Sequence, residues 1–143
     1  MKNKIKEKII YWRRLDNSAK IFPISAGKKY STVFRLSAVL KEKINPEILE
    51  YAVKNALETY KSFKVKMKQG LFWNYFEENS KYPIIEEEIE YPCKYINPKT
   101  NNDYLFKITY FDTKINIDIF HSLTGPYLPF MYWFGSEVLL VFK

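Results

Sequence analysis

The sequence predicts an α/β or α+β fold in two layers, with a mixed, largely antiparallel sheet packed on one main helix. Three patterns predict this class. A capped amphipathic segment near residues 46–61 predicts the helix, segments of alternating polarity on both sides of it predict strands, and two strand-like runs that flank a polar dipeptide predict a hairpin. A chain of 143 residues, of which 47% are hydrophobic, is sufficient for one core of ordinary size.

The helix is predicted from its N-terminal signals and from the spacing of its apolar residues. Asn45 is placed to cap the helix, Pro46 suits its first turn, and Glu47 lies near the positive end of the helix dipole. Apolar residues then recur at helical spacing and should form one buried stripe: Ile48, Leu49, Ala52, Val53, Ala56, Leu57 and Tyr60.

Strands are predicted on both sides of this helix. Residues 32–40 and 63–68 alternate with a period of two, and residues 69–70 are placed to turn the chain into a further run at 71–76. Residues 84–90 are more acidic and should form an edge strand whose charges protect it from further pairing.

A second hairpin is predicted near the end of the patterned region. Residues 104–111 and 114–120 are strand-like and flank Asp112-Thr113. The inward-facing set of the second run should be Ile115, Ile117 and Ile119. The predicted order is therefore strand, helix, hairpin, strand, hairpin.

Charge and cysteine content narrow the classes of partner. The net charge is +7, and residues 1–43 hold twelve Lys and Arg against three acids. Such a segment suits nucleic acid, an anionic membrane surface or the nucleotide end of coenzyme A, but its lysines form no dense block, which favours a solvated surface. Cys93 is the only cysteine, so no intramolecular disulfide or cysteine metal site can form. Together with the absence of a signal-peptide pattern at the start, this leads us to expect a cytoplasmic protein.

His121 is the only histidine and the main candidate for chemistry. It follows the strand at 114–120 and continues the inward parity of Ile119, so its imidazole should point toward the core at the end of a strand. A general base has this placement, and so does a partly buried histidine that a backbone carbonyl satisfies. Position alone does not decide between them.

Other constellations offer weaker candidates for a site. One histidine with scattered acids lacks the ligand spacing of a metal site, and four glycines supply no phosphate-binding loop. Glu86, Glu87, Glu88 and Glu90 lie on an extended run, where consecutive side chains point to opposite faces, so they should form a solvated edge and not a cation site. The aromatic residues are expected mainly in the core: Trp12, Trp73, Tyr75 and Phe76.

Two segments carry a family resemblance. Phe120-His121-Ser122-Leu123-Thr124 resembles the HxxxDG motif of the CoA-dependent acyltransferase superfamily, which includes chloramphenicol acetyltransferases, condensation domains and alcohol acetyltransferases. Residues 14–23, Arg-Leu-Asp-Asn-Ser-Ala-Lys-Ile-Phe-Pro, resemble the opening segment of the bacterial alcohol-acetyltransferase-like branch. The resemblance covers roughly residues 11–124 and implies the N-terminal half of the chloramphenicol acetyltransferase-like fold.

The resemblance also implies a reaction. In the family the motif histidine is the general base that deprotonates an acceptor hydroxyl, which then attacks the thioester carbonyl of an acyl-CoA without an acyl-enzyme. His121 matches this base. The implied co-substrates are acyl-CoA, such as acetyl-CoA, and a small alcohol, and no separate cofactor or metal is implied.

The sequence departs from the family pattern after the motif. Gly125 stands where the family has the aspartate of HxxxDG, and residues 125–143 form an apolar tail that proline and glycine interrupt, too broken for a membrane span. We therefore expect an incomplete acyltransferase-like subdomain at 1–124, an aberrant tail at 125–143, and no activity from the chain alone. If the tail results from a frameshift, another reading frame after Thr124 should encode an Asp-Gly continuation.

Two other functions remain open at this point. One is a non-catalytic binding module for nucleic acid or an anionic membrane surface, of which nucleic acid is the less expected partner. The other is a non-catalytic subunit that docks on a complementary acyltransferase half through an apolar wall.

Overall fold

The computed structural model describes residues 12–14, 33–72 and 74–120. His121, the tail 125–143 and most of the resembling segment 14–23 lie outside the described residues. Within them, one α-helix and seven strands confirm the mixed α and β class: β1 (Trp12–Arg14), β2 (Val33–Val39), α1 (Pro46–Thr59), β3 (Val65–Gln69), β4 (Asn74–Glu78), β5 (Ile85–Glu87), β6 (Phe106–Phe111) and β7 (Lys114–Phe120). A short 3-10 turn covers Pro98–Thr100.

The helix α1 begins as its sequence signals predict. The side chain of Asn45 accepts hydrogen bonds from the backbone N–H groups of Glu47 and Ile48, and Pro46 occupies the first turn. The buried stripe is Leu49, Ala52, Val53, Ala56 and Leu57. Ile48 is exposed instead, and Tyr60 caps the C-terminus by donating its N–H to the carbonyl of Ala56 at 2.9 Å. No helix in the described part of the chain is long and apolar enough to cross a membrane.

Four strands form a mixed sheet in the order β2-β7-β6-β5. β7 is antiparallel to β2 along seven residues, from Val33 opposite Phe120 to Val39 opposite Lys114. It is also antiparallel to β6, across the two-residue turn Asp112-Thr113 that was predicted for this hairpin. Asp112 has a φ of 51°, which a tight turn requires and aspartate tolerates. β7 is therefore an interior strand.

The edge strand β5 is confirmed but is shorter than the predicted 84–90. It pairs in parallel with β6, from Ile85 opposite Ile108 to Glu87 opposite Tyr110. Because two parallel neighbours cannot be joined by a tight turn, residues 88–105 carry the chain back along the sheet. This connection includes the 3-10 turn, and Asn101 holds it by donating from Nδ2 to the carbonyl of Phe106 at 2.6 Å.

The prediction of one sheet is wrong, because three strands form a separate antiparallel sheet in the order β1-β4-β3. Met67 of β3 lies opposite Phe76 of β4, and Gln69 opposite Asn74. The second strand of this hairpin was predicted at 71–76 and begins three residues later. Leu71 and Phe72 lie in the intervening loop and are 95% and 86% exposed, so their apolar character did not indicate a strand.

A single apolar core joins the helix to both sheets. It includes Leu49, Val53 and Leu57 of α1, Val65 and Phe76 of the three-stranded sheet, and one face of the four-stranded sheet. That face carries the predicted inward set of β7 together with two residues of β6: Phe106, Ile108, Ile115, Ile117 and Ile119. The expected burial of Ile115, Ile117, Ile119 and Phe76 is thus confirmed.

Candidate functional site

The strand that precedes His121 is buried on both faces. Ile119 and Phe120 are buried, as is Leu105, whose carbonyl accepts the N–H of Phe120 at 2.9 Å. The ladder of hydrogen bonds thus continues to the last described residue of β7. The predicted parity of His121 is that of Ile119, which faces the core. His121 itself lies outside the described residues, so its predicted role stays a prediction.

The second face of the four-stranded sheet is polar, a feature that the sequence pattern did not predict. We call it the polar face. It carries Arg35 and Ser37 of β2, Asn116 and Asp118 of β7, and Lys107 and Thr109 of β6. Ser37 donates from Oγ to Oδ1 of Asn116 at 2.7 Å. Alternation had indicated that only the isoleucine face of β7 would be buried, yet Asn116 and Asp118 are buried too.

Arg35 is the centre of an ion network on the polar face. Its guanidinium donates to both carboxylate oxygens of Asp118, from Nε at 2.7 Å and from Nη2 at 2.8 Å, and Nη1 donates to Glu88. The second carboxylate oxygen of Glu88 lies 2.8 Å from Nζ of Lys114. The side chains of Arg35 and Asp118 are only 14% and 8% exposed. We call these four residues the Arg35 network.

The network shifts the pKa values of Arg35 and Glu88 in the directions that keep both side chains charged. The hydrogen bonds that Arg35 donates to Asp118 raise the pKa of Arg35 above its ordinary value, although burial opposes this. The hydrogen bond from Lys114, with that from Arg35, lowers the pKa of Glu88 despite its burial. Each of these charges therefore already has a partner. The Arg35 network thus holds β2, β7 and residue 88 in position, and it does not offer a free acid or base.

The lowered pKa of Glu88 predicts a specific acid dependence of stability. A carboxylate whose pKa is lower in the folded than in the unfolded chain stabilises the fold above its ordinary value of 4.5 and loses this contribution as the pH falls through the folded value. Glu88→Gln should therefore reduce the free energy of unfolding at pH 7, and this difference should shrink as the pH falls below 4.5. Urea unfolding followed by circular dichroism from pH 7 to pH 3 measures it.

The control for this prediction is Glu87→Gln, because Glu87 is exposed and neighbours Glu88 in the sequence. Its free energy of unfolding should stay close to that of the original chain at every pH. A loss of stability in Glu88→Gln that does not change between pH 7 and pH 3 would contradict the assigned role of the carboxylate.

A cavity of about 300 Å³ opens beside the polar face. Its floor includes Arg35, Lys107, Thr109 and Asp118, and its wall is formed by residues of the segment 86–101, which covers the end of β5 and most of the connection to β6. The sequence predicts that His121 points to the same face of the sheet as Ile119, whereas this cavity lies on the opposite face. The cavity is therefore not the half-channel that was expected at the histidine. Most charges in its lining are paired, since Lys107 contacts Glu86 at 3.3 Å and Glu90 at 3.7 Å.

The four glutamates at positions 86, 87, 88 and 90 were expected to form a solvated edge, but three of them are paired with basic side chains. Glu86, Glu88 and Glu90 each contact a lysine or arginine, and the side chain of Glu88 is largely buried. No group of three or more His, Cys, Asp or Glu in the described ranges is arranged to hold a metal ion. Cys93 is a free, half-buried cysteine in the same connection.

No model of a protein family matches the chain, and no curated protein is detectably similar to its sequence. A solved structure to which it is similar is that of F. sporotrichioides TRI101 in complex with coenzyme A and T-2, with 10% sequence identity and a TM-score of 0.48. The similarity covers 78% of this chain but 36% of the length of TRI101. At this identity and TM-score, the similarity does not establish a shared activity.

Proposed function

We propose that residues 1–124 are part of a CoA-dependent acyltransferase of the alcohol-acetyltransferase-like kind and that His121 is its general base. The observation that carries the proposal is the placement of β7. This interior strand is hydrogen-bonded on both sides and buried up to Phe120, the residue directly before His121. A rigid strand end is a suitable support for a base, because catalysis requires the base to stay within hydrogen-bond distance of the proton that it accepts.

In the proposed reaction a neutral imidazole of His121 accepts the hydroxyl proton of an alcohol. The alkoxide oxygen forms a bond to the thioester carbonyl carbon of acyl-CoA, and the resulting tetrahedral oxyanion then releases the CoA thiolate. The imidazolium returns its proton to that thiolate. The products are an ester and free CoA, so atoms and charge balance without a metal or further cofactor.

The chain alone should not complete this reaction. Gly125 occupies the position of the family's aspartate, and a second wall of the channel would have to come from a complementary acyltransferase half, on which this chain would dock. A reducing, cytoplasmic setting is part of the proposal and agrees with the free thiol of Cys93. The alternative of an anion-binding module has less support, since described lysines such as Lys64, Lys107 and Lys114 are paired with carboxylates.

The first test uses the fact that the chain has a single histidine. Its imidazole C–H signals can be identified in a proton NMR spectrum as those that disappear in His121→Asn. We expect them to titrate near the ordinary histidine value of about 6.5 and to shift when acetyl-CoA is added, but not when the matched nucleotide adenosine 3′,5′-bisphosphate is added. If the signals do not titrate between pH 5 and 8 and do not shift when acetyl-CoA is added, the ring is sealed in the core. This result overturns the proposal.

The second test supplies the complementary half that the proposal requires. Residues 1–124 fused to the C-terminal half of an alcohol acetyltransferase should transfer acetyl from acetyl-CoA to simple alcohols, whereas the 143-residue chain should not. His121→Ala in the fusion should lower the rate by about 10²–10⁴-fold, the usual contribution of a general base. Ester formation measured by mass spectrometry avoids interference from the thiol of Cys93. An active fusion that tolerates His121→Ala would exclude the assigned base.

A further inference from the structure

We propose that β2 is the interface of a homodimer, in which the β2 strands of two copies pair in antiparallel fashion and join the two four-stranded sheets into one. The proposal is independent of the acyltransferase reaction. It rests on the hydrogen bonding, length and charge of β2, which lies at the edge of the four-stranded sheet that the described residues form.

The outward backbone groups of β2 belong to alternate residues. Leu40 donates its N–H to Thr113, so the residues of even number on β2 are those that bond to β7. In an antiparallel ladder the intervening residues then direct N–H and C=O away from β7: Val33, Arg35, Ser37 and Val39. None of these outward groups has a partner among the described residues.

The other sheet edges in the described part of the chain have features that oppose pairing, and β2 does not. β1 and β5 are three residues long, and β5 carries Glu86 and Glu87. β3 carries Lys66 and Lys68. Short length and charged side chains are the usual means by which proteins block edge strands. β2 is seven residues long, contains no proline, and its one charge, Arg35, is bound to Asp118 and Glu88.

A second copy of the same strand is the occupant that fits this edge. If the two-fold axis passes beside Leu36, Arg35 lies opposite Ser37 of the other copy and Val33 lies opposite Val39. This register places no like charges opposite each other, and it allows about eight backbone hydrogen bonds, since each pair of outward residues exchanges two. Val39 is 73% exposed in the single chain and would gain an apolar neighbour.

The first measurement is the mass in solution of the full chain by sedimentation across a concentration series. We expect a species of twice the 17.2 kDa chain mass, favoured by added salt because each copy has a net charge of +7.

Val39→Lys should weaken dimerisation by about ten-fold or more, because each dimer carries the unfavourable change twice. Ser37→Pro should abolish it by removing an outward N–H, whereas Ser37→Ala should not.

The matched control is Phe111→Lys. Phe111 and Val39 both lie opposite Lys114, on either side of β7, and Phe111 is 55% exposed, but it is not on the β2 edge. It should leave the dimer intact. Hydrogen exchange adds a readout specific to the edge: the amides of Arg35, Ser37 and Val39 should become protected as concentration rises, while those of Leu36 and Ala38 are protected throughout.

A monomer at every concentration and salt condition overturns the proposal. So does a dimer that Phe111→Lys weakens as much as Val39→Lys, or one in which alternate protection along β2 does not appear. Because Val39→Lys changes an exposed side chain, it keeps the test decisive even if Ser37→Pro fails to fold.

Discussion

Asp118→Ala should reduce the free energy of unfolding by about 3 kcal/mol, a typical loss when one partner of a buried ion pair is removed. Asp118 accepts two hydrogen bonds from Arg35, and its side chain is 8% exposed. Its removal leaves a largely buried guanidinium with Glu88 as its remaining partner. Urea unfolding at pH 7, followed by circular dichroism and by tryptophan fluorescence, measures the change.

The control for Asp118→Ala is Lys54→Met. Lys54 contacts Glu50 at 2.7 Å, but both side chains are exposed to solvent, and an exposed pair of this kind is worth about 0.5 kcal/mol or less. Salt should distinguish the pairs as well, because 1 M NaCl screens the exposed pair and has little access to the buried one. Equal losses in the two variants would show that the Arg35 network does not hold β2 to β7.

Ile117→Ala is expected to have an effect of comparable size by a different mechanism. Ile117 is buried in the centre of β7, opposite Leu36 of β2 and Ile108 of β6. Truncation of a buried isoleucine removes apolar contacts and leaves a cavity, at a cost of about 2–5 kcal/mol. The midpoint of urea unfolding should fall without a change in the slope of the transition.

Ile48→Ala is the matched substitution for Ile117→Ala. Ile48 lies on α1 but is exposed, so the same chemical change should cost about 1 kcal/mol or less. An effect of Ile48→Ala as large as that of Ile117→Ala would mean that the helix face in contact with the core has been assigned incorrectly.

Local signals were sufficient to predict several elements. The start of α1 depends on Asn45 and Pro46, which act within one turn of the helix, and the turn at Asp112-Thr113 depends on two residues between alternating strands. In both cases the residues that specify the geometry lie next to it in sequence. The structure therefore begins α1 and turns the hairpin where these patterns predicted.

Long-range pairing could not be predicted in the same way. Alternation named only Ile115, Ile117 and Ile119 as the inward set of β7. It could not show that Asp118 is buried as well, because its partner Arg35 on β2 is 83 residues away in sequence. Alternation also does not say which strands share a sheet, so the separation of β1, β4 and β3 was missed. Leu71 and Phe72 were assigned to a strand from their apolar character alone, although they lie in an exposed loop.

In the candidate site, too, local features could be predicted from the sequence and long-range contacts could not. The motif around His121 was identified from adjacent residues, whereas the Arg35 network required contacts between three distant segments. Glu88 and Arg35 are 53 residues apart, and the spacing of acids at 86–90 gave no sign that one of them would be buried beside a guanidinium. An arginine in the middle of an otherwise uncharged strand was the one available signal, since such a charge requires a counter-ion when it is buried.

The position of β2 beside β7 affects the order in which the protein can assemble on the ribosome. β2 is made before α1 and β3–β6, yet its neighbour in the sheet is the last described strand, so it has no native partner until the stretch ending at Phe120 has left the exit tunnel. The β6–β7 hairpin closes over two residues and can form at once, whereas docking of β2 requires closure of a long loop, which is entropically costly and slow. Throughout that interval nascent chains expose β2 along both of its sides, and chaperone capture or premature association between neighbouring polysomes competes with folding.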